Sequence, residues 1–291
     1  MLSIISKLLN KIKNKNLKKY IQWKFSPRNI KFATKVYLLK VKNGNSNNDL
    51  PFNVINSSHG KTIVNINDQY ISKEIISNRS WEINEVNFLK SILIQSREKY
   101  GNGVVALDCG ANLGVHTLEF SRLMKDWGYV YSFEPQRQIF HSLCGSIALN
   151  DIKNVVVHNS ALGAEEGVVN VPILDYKQKK NYGGLELNPN TTSKIDNQPV
   201  INEHEEVNLI TLDSFKFLRV DLIKIDIEGM ELEALIGAEN ILVKLKPIIF
   251  YESSKSDETK IKNYLKSKNY TQYINSENNT LAIHRDSKIK L

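Results

Sequence analysis

The sequence predicts an α/β protein in which a mostly parallel sheet is covered by helices on both faces, with an extension at its N-terminus. From residue 104 onward, short apolar runs alternate with segments of helical periodicity. Such alternation is typical of parallel strands joined by helical crossovers. The 291 residues, 41% of them hydrophobic, suffice for one large core domain and an extension.

The extension is a basic arm. Residues 1–49 contain 12 Lys and Arg against one acid, whereas the other 242 residues contain 27 Lys and Arg against 30 acids. The body therefore lacks the basic surface of a nucleic-acid-binding domain. Residues 1–25 place Leu and Ile on one side of a helix and Lys on another. This pattern is typical of a helix on an anionic membrane surface, and also of a helix packed on its own domain or on a partner.

The expected location is the cytoplasm, with the inner face of the membrane as a surface for residues 1–25. No stretch approaches the roughly 20 apolar residues that cross a bilayer, and lysines interrupt the N-terminus where a secretion signal would be apolar. Cys109 and Cys144 cannot form a disulfide framework. Nothing in the sequence indicates an oligomeric state.

Residues 50–100 are predicted to be an accessory hairpin and helix that lead into a core domain over 101–291. The Asn- and Ser-rich segment 43–60 predicts a loop, 61–76 a short hairpin, and 81–100 a helix.

The core is predicted to alternate strands and helices. In order these are strand 104–107, helix 115–124, strand 130–133, helix 140–147, strands 155–157, 207–212 and 222–227, helix 232–236, strand 247–251, helix 257–268, and a hairpin of 270–274 with 280–284. The segment 164–206 reads as irregular. Together with 50–100 it is expected to shape a substrate pocket.

A glycine loop follows the first core strand: Asp108-Cys109-Gly110-Ala111-Asn112-Leu113-Gly114. Its glycines permit a tight turn and a close approach to a ligand, and the next helix points free N–H groups there. By itself, the loop is equally consistent with a structural turn. Asn112 stands where a dinucleotide fingerprint has its middle glycine, and Thr117 where it has the third. This disfavours a pyrophosphate and favours a ligand such as S-adenosylmethionine.

Glu134 follows the second core strand, 26 residues after Asp108, and precedes Pro135. An acid at this position can accept hydrogen bonds from both hydroxyls of a ribose, although it could also cap the next helix. After the third strand, Ser160 and Ala161 are small residues that could flank an adenine or simply form a turn.

Three acids close the later strands: Asp226, Glu228 and Glu252. They could act as a general base, bind substrate hydroxyls or hold a metal. His116, near the glycine loop, is a further candidate base, though a surface histidine is the commoner case. No His/Cys cluster has zinc spacing, so no residue is assigned as a metal ligand.

Taken together, these blocks resemble the FkbM-type methyltransferases, a branch of the Rossmann-like class I methyltransferases. The matching text is VVALDCGANLGVHTLEFSRL, VYSFEPQRQIFHSLCGSIALN, VVVHNSALG, LITLDSF, DLIKIDIEGMELEALIGA and KPIIFYE. The resemblance covers about 104–252, with a weaker match to the closing hairpin. Cys109 stands where the family usually has an aliphatic residue.

The resemblance implies a seven-stranded sheet that ends in an antiparallel hairpin. It implies methyl transfer from S-adenosylmethionine, typically to a hydroxyl of a sugar or another small molecule. Asp226 and Glu228 would lie at the methyl-transfer end, with Asp226 the first candidate base, then Glu228 or His116. The predicted cofactor contacts are Asp108, Gly110, Ala111, Asn112, Gly114, Glu134, Pro135, Ser160, Ala161 and Asp226.

Other functions remain open at this point. The arm could bind RNA for an RNA methyltransferase, although the body is acidic on balance. Alternatively, a non-catalytic cofactor-binding domain could be tethered to a membrane or a partner by the arm. An NAD-dependent oxidoreductase is more distant, because the glycine loop departs from the dinucleotide fingerprint.

Overall fold

The computed structural model describes residues 50–187, 200–276 and 278–289. The predicted basic arm, including its helix at 1–25, lies outside these residues. No helix within the described ranges is long and apolar enough to cross a bilayer.

The described chain begins with an antiparallel hairpin and two helices: β1 (Phe52–Ser57), β2 (Gly60–Asn65), α1 (Ile71–Asn78) and α2 (Ile83–Tyr100). The loop predicted at 43–60 is therefore wrong for β1. The hairpin turns at Gly60, whose φ of +99° favours glycine. The hairpin predicted at 61–76 is wrong for its second strand, because α1 begins at Ile71 and the Asp68 carboxylate accepts the Ser72 N–H at 2.6 Å.

From residue 104 onward strands and helices mostly alternate, except that four strands follow one another between 155 and 210. In chain order they are β3 (Val104–Cys109), α3 (Val115–Leu123), β4 (Gly128–Phe133), α4 (Arg137–Leu149), β5 (Val155–His158), β6 (Ala161–Leu162), β7 (Gly167–Leu174), β8 (Val200–Ile210), a 3-10 turn (Leu212–Phe215), β9 (Leu222–Ile225), α5 (Glu231–Ile236), α6 (Glu239–Lys244), β10 (Ile248–Glu252), α7 (Glu258–Ser267), β11 (Tyr270–Ser276) and β12 (Asn279–His284).

Seven of these strands form the central sheet, in the order β11-β12-β10-β9-β3-β4-β5. Strands β10, β9, β3, β4 and β5 are parallel, and β12 and β11 close the sheet as an antiparallel hairpin. The predicted α/β class and sheet are confirmed. From β3 the chain moves outward to β5 and then returns to β9 on the other side. Ligand sites in such sheets lie at this reversal, beyond the carboxyl ends of the strands.

Both faces of the sheet are buried. Leu107 and Ile223 point to the face covered by α5, α6 and α7, whereas Val104, Ala106 and Leu222 point to the face covered by α2 and α3. Strands that are buried on both faces read as continuous apolar runs, which is why the sequence located them.

The segment predicted to be irregular, 164–206, contains β7 and the first part of β8, which form with β6 a second, three-stranded sheet in the order β6-β8-β7. Strand β8 is rich in charged residues, and β7 contains Pro172 next to an irregularity in its register. Both features weaken the signal of a strand in the sequence.

Candidate active site

A cavity of about 450 Å³ opens at the carboxyl ends of β3, β4, β9 and β10. This volume is usual for a small-molecule site. Most of the predicted site residues contribute to its wall: Gly110, Ala111, Asn112, His116, Glu134, Pro135, Ser160, Ala161, Asp226 and Glu228. The topology of the sheet thus brings together side chains that are far apart in the sequence.

Gly110 holds the end of β3 against the end of β9. It has a φ of +79°, and a Cβ at this position would lie 1.8 Å from the Asp226 carbonyl oxygen. The N–H groups of Gly110 and Ala111 both donate to the Phe133 carbonyl at 3.0 Å, so the turn is also tied to β4. A side chain at Gly110 would force these strand ends apart.

Glu134 is buried at the end of β4. Its Oε2 accepts the Asn112 N–H at 2.9 Å, and its Oε1 accepts the Gln136 N–H at 2.9 Å. Burial raises the pKa of Glu134 to about 7, although these two hydrogen bonds and Lys224 act to lower it. Each carboxylate oxygen keeps a lone pair for a further donor. Glu134 therefore fixes the glycine loop and can still accept hydrogen bonds from a ligand.

Two predicted cofactor contacts, Asp108 and Gly114, do not line the cavity. The fully buried Asp108 accepts a 2.6 Å hydrogen bond from Thr117 Oγ1, and its Oδ1 lies 3.7 Å from Lys224 Nζ. Gly114 precedes α3, and a Cβ there would lie 2.2 Å from Leu143 Cδ1. Both residues contact the core side of the turn and so position the glycine loop, and their assignment as cofactor contacts stays a prediction.

Lys224 is a site residue that the sequence reasoning missed. Its Nζ lies 3.2 Å from the Gly110 carbonyl oxygen and 3.4 Å from Asp226 Oδ2. Desolvation acts to lower the pKa of Lys224, but Asp226 and Asp108 outweigh it and the pKa is raised. One feature of the sequence could have predicted this role: Lys224 stands inside a short apolar strand. A buried charge requires partners, so acids near it were to be expected.

Asp226 and Glu252 extend from the neighbouring ends of β9 and β10 and hydrogen-bond to each other. Desolvation raises the pKa of Asp226, but Lys224 and the hydrogen bond with Glu252 bring it below its ordinary value. For Glu252, desolvation and the charge of Asp226 raise the pKa to about 7. Two carboxyl groups that hydrogen-bond to each other share a proton. The pair can therefore accept or release a proton near neutral pH.

The other two candidate bases each lie close to a charged side chain. Glu228 forms an ion pair with Lys255, which also lines the cavity. His116 lies in the first turn of α3 and is 5% exposed, with Nε2 3.2 Å from Glu85 Oε1. Both lie in the wall that contains Asp226.

Ser160 lies at the end of β5, as its predicted role requires. Its Oγ is buried and has no hydrogen-bond partner among the described residues, yet the residue lines the cavity. Buried hydroxyls are rarely left unpaired, so this oxygen is available to a bound molecule.

Two segments outside the central sheet complete the wall. Tyr70, Trp81 and Glu82 come from 50–100, and Asn181 and Leu185 come from 164–206. These are the segments that the sequence assigned to a substrate pocket.

Comparison with known proteins decides the family. A sequence model described as the methyltransferase FkbM domain matches residues 108–272, more than half of the chain. The chain belongs to the FkbM methyltransferase family. Membership in this methyltransferase family implies S-adenosylmethionine as the cofactor.

Individual relatives are distant. A protein named methyltransferase 1 from Beauveria bassiana (strain ARSEF 2860) is 27% identical over 179 residues, which cover 56% of this chain and 71% of that protein. The crystal structure of an FkbM methyltransferase from Methylobacillus flagellatus KT has a TM-score of 0.44 and 20% identity, over 63% of this chain and 43% of that one. A precorrin-6y C5,15-methyltransferase from Geobacter metallireducens GS-15 has a TM-score of 0.40 and 14% identity, over 69% of this chain and 87% of that one.

Proposed function

We propose that this protein transfers a methyl group from S-adenosylmethionine to a hydroxyl oxygen of a sugar, a glycan or another small molecule. The observation that carries the proposal is the Asp226–Glu252 carboxylate pair, which lines the same cavity as Glu134. A hydroxyl is a poor nucleophile until a base takes its proton. The pair provides such a base beside the predicted cofactor site.

The residues of the cavity fit the cofactor. Glu134 retains acceptor capacity for ribose hydroxyls, and the unpartnered Ser160 Oγ can bond to a polar group of the adenine. The tight turn at Gly110 lets backbone approach the ligand closely. These three features would hold the nucleoside at β3, β4 and β5.

The chain's own contribution to the reaction is positioning and proton transfer. S-adenosylmethionine, when bound, supplies an electrophilic methyl group and its own sulfur leaving group. Glu252, with a pKa near 7, would take the hydroxyl proton while Asp226 remains ionised beside Lys224. The Lys224 ammonium holds Asp226 in place, and the ionised Asp226 can accept a hydrogen bond from Glu252 once Glu252 carries the proton.

The charge of the cavity favours a neutral acceptor that is rich in hydroxyls. Five carboxylates line it, from Glu82, Glu134, Asp226, Glu228 and Glu252. The lysines in the wall, Lys224 and Lys255, are each already paired with an acid. Phosphate groups would be repelled here, which disfavours RNA as the acceptor.

The acceptor can be found by incubating the full chain with S-adenosylmethionine labelled in its methyl group and a cell extract. We expect the label in an alkali-stable methyl ether on a glycan or small molecule. Label in ribonuclease-sensitive material would support the RNA alternative instead. A protein that binds the cofactor and labels nothing would be the non-catalytic, tethered domain.

A pair of matched variants tests the role of Glu252. Glu252→Gln should lower kcat by roughly 100- to 10,000-fold, the usual contribution of a general base. It should leave the affinity for S-adenosylhomocysteine near that of the wild type. Glu166→Gln, at an exposed turn before β7, is the control. Equal kcat values for the two variants would show that Glu252 is not the general base.

A further inference from the structure

Glu82, Glu85 and His116 form a cluster at the rim of the cavity, where α2 begins and where α3 makes its first turn. Each offers one ligand atom, and the three atoms lie within 4.8 Å of one another. We propose that this cluster binds a divalent metal ion that positions the acceptor hydroxyls. The role of the ion rests on the proposed function, whereas the binding of the ion does not.

The His116 ring provides an independent indication of a ligand. The residue is 5% exposed, and its Nε2 has no hydrogen-bond partner among the described residues. Glu85 Oε1 lies 3.2 Å from Nε2, but without the direction of a hydrogen bond. Buried polar atoms are rarely left unpaired. A metal bound between the imidazole and the carboxylates would satisfy Nε2.

The negative charge of the carboxylates in and near the cluster also favours the binding of a cation. Asp226, Asp108, Glu82 and Glu85 all act electrostatically on Lys224. Among these four carboxylates, the two closest to the Lys224 ammonium are Asp226 at 3.4 Å and Asp108 at 3.7 Å. A dication bound to Glu82 and Glu85 would neutralise the negative charge of these two carboxylates, which lie farther from Lys224.

The distances between the three ligand atoms suit a single ion, because ligand atoms on opposite sides of a hard dication lie roughly 4–5 Å apart. The mixed donor set narrows its identity. Imidazole favours transition metals and carboxylates favour hard cations, so Mn²⁺ satisfies both. Asn279 Nδ2 donates to Glu85 Oε2 at 2.7 Å and holds this carboxylate in place, as second-layer partners of metal ligands do.

The bound ion would position the acceptor in the cavity. Glu82 and His116 line the cavity together with Asp226, so coordination positions not filled by the protein would face the bound molecule. Two adjacent hydroxyls could occupy these positions, which places one of them near the Asp226–Glu252 pair. The acceptor class that this geometry favours is a vicinal diol, as in a sugar ring.

Binding can be measured without any acceptor. The full chain, stripped with EDTA, is titrated with Mn²⁺ while electron paramagnetic resonance reports free Mn²⁺. We expect saturable binding of a single ion, weakened roughly 10-fold or more in Glu82→Gln and in His116→Gln. Glu98→Gln, an exposed residue on α2, should bind as the wild type does. Calorimetry with S-adenosylhomocysteine confirms that each variant keeps a folded cofactor site.

Absence of Mn²⁺ binding, or binding that all three variants share, would overturn the metal site. The results distinguish a failure of the metal site from a failure of the methyltransferase proposal. Full methyl transfer in EDTA with no bound Mn²⁺ overturns the metal site and leaves the methyltransferase proposal intact. Mn²⁺ binding that depends on Glu82 and His116 supports the site even where no acceptor is methylated.

Discussion

Glu134 links the glycine loop to the predicted nucleoside site through a single buried carboxylate. In Glu134→Gln one oxygen becomes an amide N–H₂, so an acceptor for the loop or for a ribose hydroxyl is lost. We expect the affinity for S-adenosylhomocysteine to fall roughly 10- to 100-fold, since a hydrogen bond to a charged group contributes about 1.5–3 kcal/mol. Isothermal titration calorimetry measures this, with Glu166→Gln as the control. Unchanged affinity would contradict the assignment.

The pKa of Glu134 makes cofactor affinity depend on pH. Hydroxyls donate best to the ionised carboxylate, and burial raises the pKa of Glu134 from 4.5 to about 7. Affinity should therefore rise as the pH increases through 7 and level off above it. The Glu134 contribution to folding has the opposite sign: it is complete below pH 4.5 and is lost as the pH rises through 7. Titrations from pH 5.5 to 8.5 should show the rise in Glu252→Gln but not in Glu134→Gln.

The Lys224 ammonium neutralises two carboxylates, those of Asp108 below the cavity and of Asp226 in its wall. Lys224→Met would leave Asp108 and Asp226 without their ammonium partner, and breaking a buried pair in this way costs about 3–5 kcal/mol. The free energy of unfolding in urea should fall by about that amount. Adding Asp108→Asn should recover part of it. A double variant no more stable than Lys224→Met alone would show that Asp108 does not depend on Lys224.

At the scale of elements, the junction of β3 with β9 decides the shape of the site. Gly110→Ala would place a Cβ 1.8 Å from the Asp226 carbonyl oxygen at a φ of +79°. We expect a loss of more than about 1 kcal/mol in unfolding free energy, because alanine is strained at positive φ and the strand ends must separate. Cofactor affinity should fall with it. The control is Gly167→Ala, where nothing lies within 4 Å of a new Cβ. Equal stability of the two variants would contradict this account.

Elements differ in how well the sequence predicts them. Strands β3, β4, β9 and β10 were located because burial on both faces requires an apolar run. Strand β8 carries His204, Glu205 and Glu206, and α1 depends on Asp68 accepting a hydrogen bond from Ser72. Charged strand residues and side-chain hydrogen bonds ahead of a helix leave little trace in hydrophobic periodicity, so α1 and the first part of β8 were missed. The end of β8 falls in the strand predicted at 207–212.

At the scale of the whole molecule, the site combines what a local pattern predicts with what only folding brings together. The glycine loop and Glu134 follow strands in a recognisable order, so the sequence located them. The contacts of Lys224 with Asp108, and of His116 with Glu85, join residues far apart in the chain. Their partners depend on which strands are neighbours and on how α2 packs, and a single sequence does not specify either.

The packing of α2 bears on whether 50–100 is accessory to the core. Leu89, Ile92 and Leu93 share one buried cluster with Val104, Phe120 and other residues of the central sheet and α3. Leu93→Ala should therefore destabilise the whole described fold by about 2–5 kcal/mol, as for other buried leucines. Unfolding should remain a single transition whether it is followed by circular dichroism or by tryptophan fluorescence. Ile94→Ala, exposed on the same helix, should change stability little. A separate early transition in Leu93→Ala would instead make α2 an independent unit, and the rim of the cavity that it supports could open without unfolding the sheet.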